Sequence, residues 1–358
     1  MNEAGQKRKA FLFGFNFERT AGFFVPDPLA QDEILFRVPS ATNAALHSSA
    51  QPSALASEQS SALASEQSSV LASEQPSALA SEQLSALASE QSFAEISRPE
   101  LFSWPLSLGA YKKRFSIVKR GLRYGNSFLT NLTISTPIET PLSLVEIFRR
   151  SSSPYALYLP GRFVCFSPET FVRIEGQTIV SCPMKGTIDA ALPDAASRIL
   201  SDPKERCEHD TIVDLIRNDL GRVAEKVEVA RYRYIDTVEG HNGSVLQVSS
   251  QIAGRLPSGY QERLGDVILD LLPAGSVSGA PKEATLQLIR EAERAPRGYY
   301  TGIFGYFDGE IVDSAVLIRY IEQRNGKLYY RSGGGITINS RCRSEYREAL
   351  QKVYLPFR

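Results

Sequence analysis

The chain has 358 residues, of which 42% are hydrophobic and 22% are charged, a composition typical of a water-soluble globular protein. Its 40 Lys and Arg residues balance 40 Asp and Glu residues, so no strongly basic surface for a nucleic acid is expected. The chain has no apolar run of the roughly 18 residues needed to span a membrane, and the basic and apolar residues at 7–13 are not expected to act as a signal peptide. We therefore predict a cytoplasmic protein without a membrane segment.

Two short strands are predicted near the N-terminus. Phe11, Phe13, Phe15 and Phe17 alternate with other residues, and a second apolar run covers residues 34–38. Such alternation is typical of a β-strand with one buried face. We therefore expect residues 1–39 to contribute strands to a larger globular body.

Residues 53–91 repeat the sequence Ser-Ala-Leu-Ala-Ser-Glu-Gln, or a near copy, five times with a period of eight. In a helix each repeated leucine would be turned about 80° from the previous one, so no apolar stripe would form. The composition favours a disordered or weakly helical insertion, with a partner-binding helix as the alternative. We expect a low-complexity insertion at 40–98, which leaves residues 99–358 as the main globular domain.

Outside the insertion, the rest of the chain has an excess of positive charge. Residues 40–97 contain six Glu and no Lys, Arg or Asp, so the remainder has 40 basic and 34 acidic residues, a formal charge of +6. This mild excess suits a small anionic ligand. The four cysteines form no C-x-x-C pair, so neither a disulfide framework nor a structural zinc site is indicated.

The rest of the chain predicts an α+β fold with a large antiparallel sheet. Helical patterns cover 108–122 and 142–150, others follow Pro203, Gln261 and Pro281, and one begins at Cys342. A strand is expected at 127–135, and hairpin turns at 175–177, 308–309 and 325–326 indicate antiparallel pairing. Blocks of strands and helices without strict alternation favour α+β over a parallel α/β sheet.

Lys185 lies in the sequence Pro-Met-Lys-Gly-Thr, directly after the apolar stretch 178–182. A lysine attacks electrophilic carbon only as the neutral amine, and about 0.1% is neutral near pH 7.5 without a desolvated or cationic environment. From these residues alone, an exposed surface lysine is the simpler interpretation.

Two pairs of glutamates share a spacing of three residues. Glu205 and Glu208 lie in the helix after Pro203, and Glu345 and Glu348 lie in the last helix; each pair shares a helix face. If the two helices face each other, the carboxylates meet and require a hard cation such as Mg²⁺. Solvated helix faces are the alternative, and Glu205 also fits a capping box with Asp202 at the N-cap.

Three consecutive glycines, Gly333, Gly334 and Gly335, interrupt a strand shortly before the last helix. Glycines allow a ligand to approach backbone N–H groups, which can bind a carboxylate or phosphate. The G-x-G-x-x-G spacing of a dinucleotide site is absent. The loop 275–282 also fails the spacing of a phosphate-binding P-loop, so no NTPase is predicted.

Taken in order, segments 183–187, 213–221, 272–282, 297–306, 318–319 and 333–348 resemble the chorismate-utilising enzymes over residues 110–358. Several long motifs in one order make this resemblance specific. It implies a large antiparallel-sheet αβ sandwich and an enzyme that uses chorismate and Mg²⁺. Glu208 and Glu348 match the direct metal ligands of the family, and Glu205 and Glu345 match companions in the catalytic site that hold metal-bound water.

The resemblance also implies a substrate site and a nucleophile. Positions that bind chorismate, a dicarboxylate, match Gly186, Thr187, Tyr300, Arg319, Gly333, Gly334 and Gly335. Lys185 is typical of the aminodeoxychorismate synthase branch, where anthranilate and isochorismate synthases usually have Ala. That branch adds ammonia to chorismate, and because no glutaminase nucleophile motif is present, the ammonia is expected from a separate glutamine amidotransferase subunit.

Two alternatives and two departures accompany this prediction. The chain could instead be an anthranilate synthase component, which Lys185 disfavours, or a non-catalytic scaffold, which the intact glutamate pairs disfavour. Gln247 occupies a strand position where many relatives have His, and it cannot shuttle a proton at neutral pH. No Leu-Leu-Glu-Ser segment is recognisable near the N-terminus, so feedback inhibition by tryptophan is not expected.

Overall fold

The structure, a computed structural model, describes residues 1–44, 101–240 and 243–357. The predicted insertion at 40–98 therefore lies almost entirely outside the described residues. The strands are β1 (Phe11–Phe15), β2 (Gly22–Pro26), β3 (Leu35–Val38), β4 (Ala41–Thr42), β5 (Phe102–Ser103), β6 (Leu129–Glu139), β7 (Tyr155–Leu159), β8 (Phe163–Ser167), β9 (Thr170–Glu175), β10 (Thr178–Ser181), β11 (Met184–Asp189), β12 (Glu225–Gly240), β13 (Gly243–Arg255), β14 (Gly279–Ala280), β15 (Ile303–Phe307), β16 (Val312–Val316), β17 (Tyr320–Arg324) and β18 (Lys327–Ile336).

The described residues form nine α-helices, six of which lie where the sequence predicts a helix. They are α1 (Asn2–Gln6), α2 (Leu108–Arg123), α3 (Leu144–Arg150), α4 (Ala195–Ser201), α5 (Pro203–Leu220), α6 (Leu264–Asp270), α7 (Gly275–Ser278), α8 (Lys282–Glu293) and α9 (Cys342–Gln351). Ser143 begins α3 with a capping box in which Glu146 returns the hydrogen bond, which fixes the start of this short helix. Within the described residues, no helix is both long and apolar enough to cross a membrane.

The described strands form two nine-stranded antiparallel sheets. The first has the order β11-β13-β10-β9-β16-β15-β1-β2, with β12 also pairing β13. The second has the order β14-β6-β18-β17-β8-β7-β3-β4, with β5 also pairing β6. The predicted turns at 175–177, 308–309 and 325–326 connect β9 to β10, β15 to β16 and β17 to β18, and each pair is antiparallel.

The two sheets pack face to face, and helices cover their outer faces. Aromatic rings from both sheets share one core: the Phe36 and Tyr306 ring centroids are 5.2 Å apart. On the outside of the first sheet, α5 and α6 bury Ile216 and Ile268 against strand residues. On the second sheet, α2, α8 and α9 cover β6 and β18, while α3 covers β7 and β8.

This architecture confirms the predicted α+β antiparallel sandwich and adds detail at the N-terminus. Three strands rather than two precede residue 40, because Gly22–Pro26 pairs with Phe11–Phe15 as a hairpin. The third strand, Leu35–Val38, belongs to the other sheet and pairs with β7. The N-terminal segment therefore contributes to both halves of the sandwich.

Candidate active site

One cavity of about 440 Å³ brings together all twelve residues predicted for the site. It is bounded by β11, β18, α5, α9 and the segments that lead into β15 and β17. The predicted residues on its wall are Lys185, Gly186, Thr187, Glu205, Glu208, Tyr300, Arg319, Gly333, Gly334, Gly335, Glu345 and Glu348. Residues more than 160 positions apart in sequence thus share one surface.

A bulge in β11 shapes the wall around Lys185. The register of β11 against β13 shifts between Met184 and Thr187, and a bulge reorients the side chains next to it. Gly186 within the bulge has φ of +81°, a conformation that favours glycine. A Cβ at Gly186 would lie 3.1 Å from Oε2 of Glu205, so this glycine also lets α5 approach the strand.

The glycine strand allows a similarly close approach from the opposite wall. A Cβ at Gly335 would lie 3.7 Å from Lys185 Nζ, and one at Gly334 would lie 3.4 Å from Glu348 Oε1. Side chains at these positions would occupy the space between Lys185, Glu348 and the strand. The glycines therefore leave room for a ligand beside the lysine.

The two pairs of glutamates approach the cavity from different helices. Asp202 Oδ1 accepts the backbone N–H of Glu205 at 3.1 Å, which confirms the predicted N-cap of α5 and positions Glu205 in its first turn. Glu345 is 6% exposed, whereas Glu348 is exposed to the cavity side. In the part of the chain that the structure describes, no three or more Asp, Glu, His or Cys side chains are grouped so that they could hold a metal ion.

Arg319 lies in the connection from β16 of the first sheet to β17 of the second sheet, and Tyr300 lies shortly before β15 of the first sheet. Arg319 Nε donates to the Tyr354 hydroxyl at 3.2 Å, and its backbone is left-handed, with φ of +51°. The Arg331 guanidinium lies 5.1 Å from the centroid of the Tyr300 ring. Burial raises the pKa of Tyr300 to about 12, so its hydroxyl stays protonated and can donate a hydrogen bond at neutral pH.

Glu169 lies on the same wall and was missed in the sequence. It follows Ser167 and Pro168 between two strands, a position without a recognisable pattern. Its carboxyl accepts a hydrogen bond from the Ser276 hydroxyl. Burial raises the pKa of Glu169, against the opposing effects of the Ser276 hydrogen bond and the positive charge of Lys185. A carboxyl of this kind can hold a proton at a pH where an exposed glutamate has lost it.

Lys352 was also missed, because it lies just past the end of α9, where a basic residue is common on any helix. Its ammonium donates to Glu348 Oε1 at 2.7 Å and to the Gly333 carbonyl at 2.9 Å. Burial lowers the pKa of Lys352, and the charge of Glu348 opposes this shift. The cavity wall thus combines lysine and arginine side chains with the carboxylates of the glutamates.

Two further polar residues lie close to the site without facing the cavity. His209 is 1% exposed, and its Nε2 lies 2.7 Å from the Ser250 hydroxyl. Burial lowers the pKa of His209 to about 4, so it is neutral at pH 7. Gln247 donates to the Met184 sulfur at 2.7 Å and pairs with Thr187 in the register of β13 and β11. It supports the strand that carries Lys185.

A larger cleft of about 1360 Å³ adjoins the cavity. Glu208 and Glu345 line both spaces. The cleft runs between α5 and residues 337–341 and is otherwise lined by mixed apolar and polar side chains. The two glutamates therefore stand where the cavity and the cleft meet.

The two antiparallel sheets thus carry a cavity whose wall combines lysine, arginine and glutamate side chains, a setting suited to a small charged ligand. The chain belongs to the family of chorismate-binding enzymes, whose family model matches residues 2–357. It is a chorismate-utilising enzyme of that family.

Several relatives show how far this likeness extends. A PabA-like protein of Pasteurella multocida is 56% identical over 72% of this chain and 79% of its own length. Aminodeoxychorismate synthase component 1 of Bacillus subtilis is 31% identical over 71% of this chain and 56% of its own. Anthranilate synthase component 1 of Archaeoglobus fulgidus is 34% identical over 69% and 62%.

A solved structure shares the fold. The crystal structure of anthranilate synthase component I from Streptococcus pneumoniae covers 76% of this chain and 64% of its own, with 26% identity and a TM-score of 0.62. The likeness is therefore spread over most of the described body.

Proposed function

We propose that the protein is aminodeoxychorismate synthase component I, which converts chorismate and ammonia to 4-amino-4-deoxychorismate and water. The observation that carries the proposal is Lys185, an amine on the cavity wall beside the glycine strand. Relatives with two different activities match this chain at 31% and 34% identity, so overall similarity does not choose between them. The position of the Lys185 amine on the cavity wall supports the aminodeoxychorismate synthase activity.

Substrate binding follows from the cationic side chains and the open backbone. Chorismate carries two carboxylates, and Arg319 and Arg331 both line the cavity. A guanidinium can hold a carboxylate through two hydrogen bonds. The strand with Gly333, Gly334 and Gly335 can then lie against the ring without a side chain in the way.

The proposed reaction has two displacement steps. In the first, neutral Lys185 Nζ forms a bond to C2 of chorismate, the ring double bonds shift, and the C4–O bond breaks. Glu169 in its protonated form supplies the proton with which the C4 hydroxyl leaves as water. In the second, ammonia bonds to C4, the double bonds shift back, and the C2–N bond to the lysine breaks. The lysine leaves as the neutral amine, and the proton released by the ammonia-derived nitrogen returns to Glu169, so both groups regain their starting forms.

The donor set also suits Mg²⁺, which prefers oxygen ligands and takes only one or two carboxylates besides water and substrate oxygens. Glu208 and Glu348 would hold the ion, and Glu205 and Glu345 would hold its water. Bound there, Mg²⁺ would supply positive charge to a substrate carboxylate. Lys352 Nζ lies 2.7 Å from Glu348 Oε1, so this carboxylate already attracts one positively charged group.

Ammonia is proposed to come from a glutamine amidotransferase subunit. Free ammonia at high concentration should replace it, because the chemistry at C4 needs only the nucleophile. This allows the synthase reaction to be measured on the chain alone.

Anthranilate synthase component I is the second candidate, favoured by the likeness in sequence and fold to enzymes of that name. Both enzymes would add ammonia to chorismate, but anthranilate formation also eliminates pyruvate. Incubating the protein with chorismate, Mg²⁺ and ammonium, with products separated by mass, decides between them. We expect an amino product that retains the enolpyruvyl group; stoichiometric pyruvate together with anthranilate would reject the proposal.

A further inference from the structure

A buried ion pair lies directly behind the wall of the cavity. Arg297 is 1% exposed and Glu293 is 5% exposed. Arg297 Nε donates to Glu293 Oε2 at 3.0 Å, and Nη2 donates to Oε1 at 2.7 Å. This is a two-point contact between a planar guanidinium and a carboxylate, the geometry that arginine makes and lysine cannot.

The remaining guanidinium donors bind three separate segments of the chain. Nη1 donates to the carbonyl of Val277 at 2.7 Å and to the hydroxyl of Thr301 at 3.3 Å. Nη2 also donates to the carbonyl of Asn131 at 2.7 Å. With the two bonds to Glu293, all five N–H groups of the guanidinium have acceptors.

All three of these acceptor residues line the cavity. Asn131 pairs with Gly335 in the register of β6 and β18. Thr301 directly follows Tyr300, and Val277 directly follows Ser276, whose hydroxyl donates to Glu169. One guanidinium therefore sets the relative positions of the segments that carry the proposed substrate and proton-transfer groups.

Glu293 extends the same arrangement to the glycine strand. Its Oε1 accepts the backbone N–H of Thr133 at 2.8 Å, and Thr133 pairs with Gly333. The carboxylate and the guanidinium thus hold β6 at two points, each opposite a glycine of β18.

The N-terminal segment fixes the ion pair from the other side. The Phe17 ring centroid lies 4.4 Å from the Arg297 guanidinium carbon. Glu18 accepts the backbone N–H of Arg297 at 2.7 Å and that of Gly298 at 3.2 Å. Neither Phe17 nor Glu18 lines the cavity.

Stability alone does not account for this arrangement. Burying two charges costs desolvation that their attraction offsets only in good geometry, and an apolar pair of similar volume is often at least as stable. An apolar pair could not bond to Asn131, Val277 and Thr133 at once. What the ion pair adds is a fixed geometry of the backbone segments in front of it.

We propose that Arg297 and Glu293 are positioning residues that hold the cavity wall in the geometry required to bind chorismate. This role rests on the chorismate site proposed above. Arg297 acts through Asn131, Val277 and Thr301 and does not itself touch the substrate.

The test is the affinity of the purified full-length protein for chorismate with Mg²⁺ and without ammonia, measured by calorimetry. Arg297→Lys keeps the charge but cannot reach Asn131, Val277 and Glu293 together. We expect this variant to bind chorismate about tenfold more weakly, the effect of about 1.4 kcal/mol, with KM rising more than kcat falls. Glu18→Ala, which removes the acceptor of the Arg297 and Gly298 backbone N–H groups, should shift affinity in the same direction while the protein stays folded.

Arg173→Lys is the matched control, because Arg173 pairs at 3.2 Å with Asp313, a carboxylate that is 1% exposed, and neither residue lines the cavity. It should lower Tm without changing chorismate affinity. The positioning role is wrong if Glu18→Ala binds chorismate as tightly as the unsubstituted protein. The same affinity is then also found for Arg297→Lys, provided that this variant folds. Failure of the unsubstituted protein to bind chorismate would instead reject the proposed site, and this role with it.

Discussion

Lys352 Nζ lies 2.7 Å from Glu348 Oε1, one turn away on the last helix, and donates from there to the Gly333 carbonyl at 2.9 Å. The end of α9 is thereby joined to the glycine strand by a single ammonium. A carboxylate proposed to bind Mg²⁺ and a strand proposed to bind chorismate are thus linked before either ligand arrives.

Lys185 is expected to be essential for chemistry but not for binding. Lys185→Ala removes the proposed nucleophile, and Lys185→Arg keeps a positive charge that cannot add to C2 because the guanidinium stays protonated. Both variants should lose aminodeoxychorismate formation, by at least about 10³-fold, and Lys185→Arg should bind chorismate nearly normally. A covalent adduct with the mass of chorismate less one water should appear on the unsubstituted protein without ammonia. Turnover at the original rate in either variant would show that Lys185 is not the nucleophile.

The glutamates are expected to differ in their effect on Mg²⁺. Glu208→Gln and Glu348→Gln remove proposed direct ligands, so each should severely reduce Mg²⁺-dependent turnover. Glu205→Gln affects a proposed water-holding companion and should raise the half-saturating Mg²⁺ concentration by about 10- to 100-fold. Titration of activity with Mg²⁺ measures this, with the exposed Glu291→Gln on α8 as control. Unaltered Mg²⁺ dependence of both Glu208→Gln and Glu348→Gln would exclude them as ligands.

Glu169 is expected to lower the stability of the folded protein at high pH, although its proton is required for activity. Burial raises its pKa in the folded protein, so its contribution to stability is fully present below the pKa of the unfolded state and is lost as pH rises through the folded pKa. Glu169→Gln cannot ionise and can still accept the Ser276 hydrogen bond. It should therefore melt at a higher temperature than the unsubstituted protein at pH 8, with the difference shrinking toward pH 4.

The same variant should be slow, because it has no proton to supply to the leaving hydroxyl. A loss of about 10²-fold in kcat is expected, the usual effect of a positioned proton donor. Melting curves from pH 4 to pH 8 and kcat at pH 7 measure the two effects. A variant that is as fast as the original enzyme, or whose Tm difference grows toward low pH, would contradict this assignment.

The eight-residue repeat is expected to be dispensable for catalysis. It has no consistent apolar face, and a long surface insertion costs only about 0.6 kcal/mol per doubling of its length. Replacing residues 50–95 by a short Gly/Ser linker should leave ammonia-dependent turnover and Tm nearly unchanged. Limited proteolysis of the original chain should cut first within the repeat. Unfolding or loss of turnover after the replacement would mean that the repeat is structural.

Local patterns in the sequence were sufficient for most of the secondary structure. The Asp202 cap and Pro203 predicted the start of α5, and the turns at 308–309 and 325–326 predicted two hairpins that the structure contains. These signals work because caps and tight turns depend on residues within a few positions of one another. The strand Gly22–Pro26 was missed, since its sequence, Gly-Phe-Phe-Val-Pro, does not alternate between apolar and polar residues and none of its residues is fully buried.

The amino-acid sequence alone identifies the chemical groups of the candidate site: the amine of Lys185 beside a glycine, two pairs of glutamates at a spacing of three, and a run of glycines. That these groups share a cavity with Glu169 and Lys352, and that Arg297 lies behind the wall of this cavity, is visible only in the folded chain. Those placements depend on which strands pair and in what register, as when β18 lies against β6 nearly 200 residues earlier. Pairing over such distances is set by the packing of whole sheet faces, and no short segment encodes it.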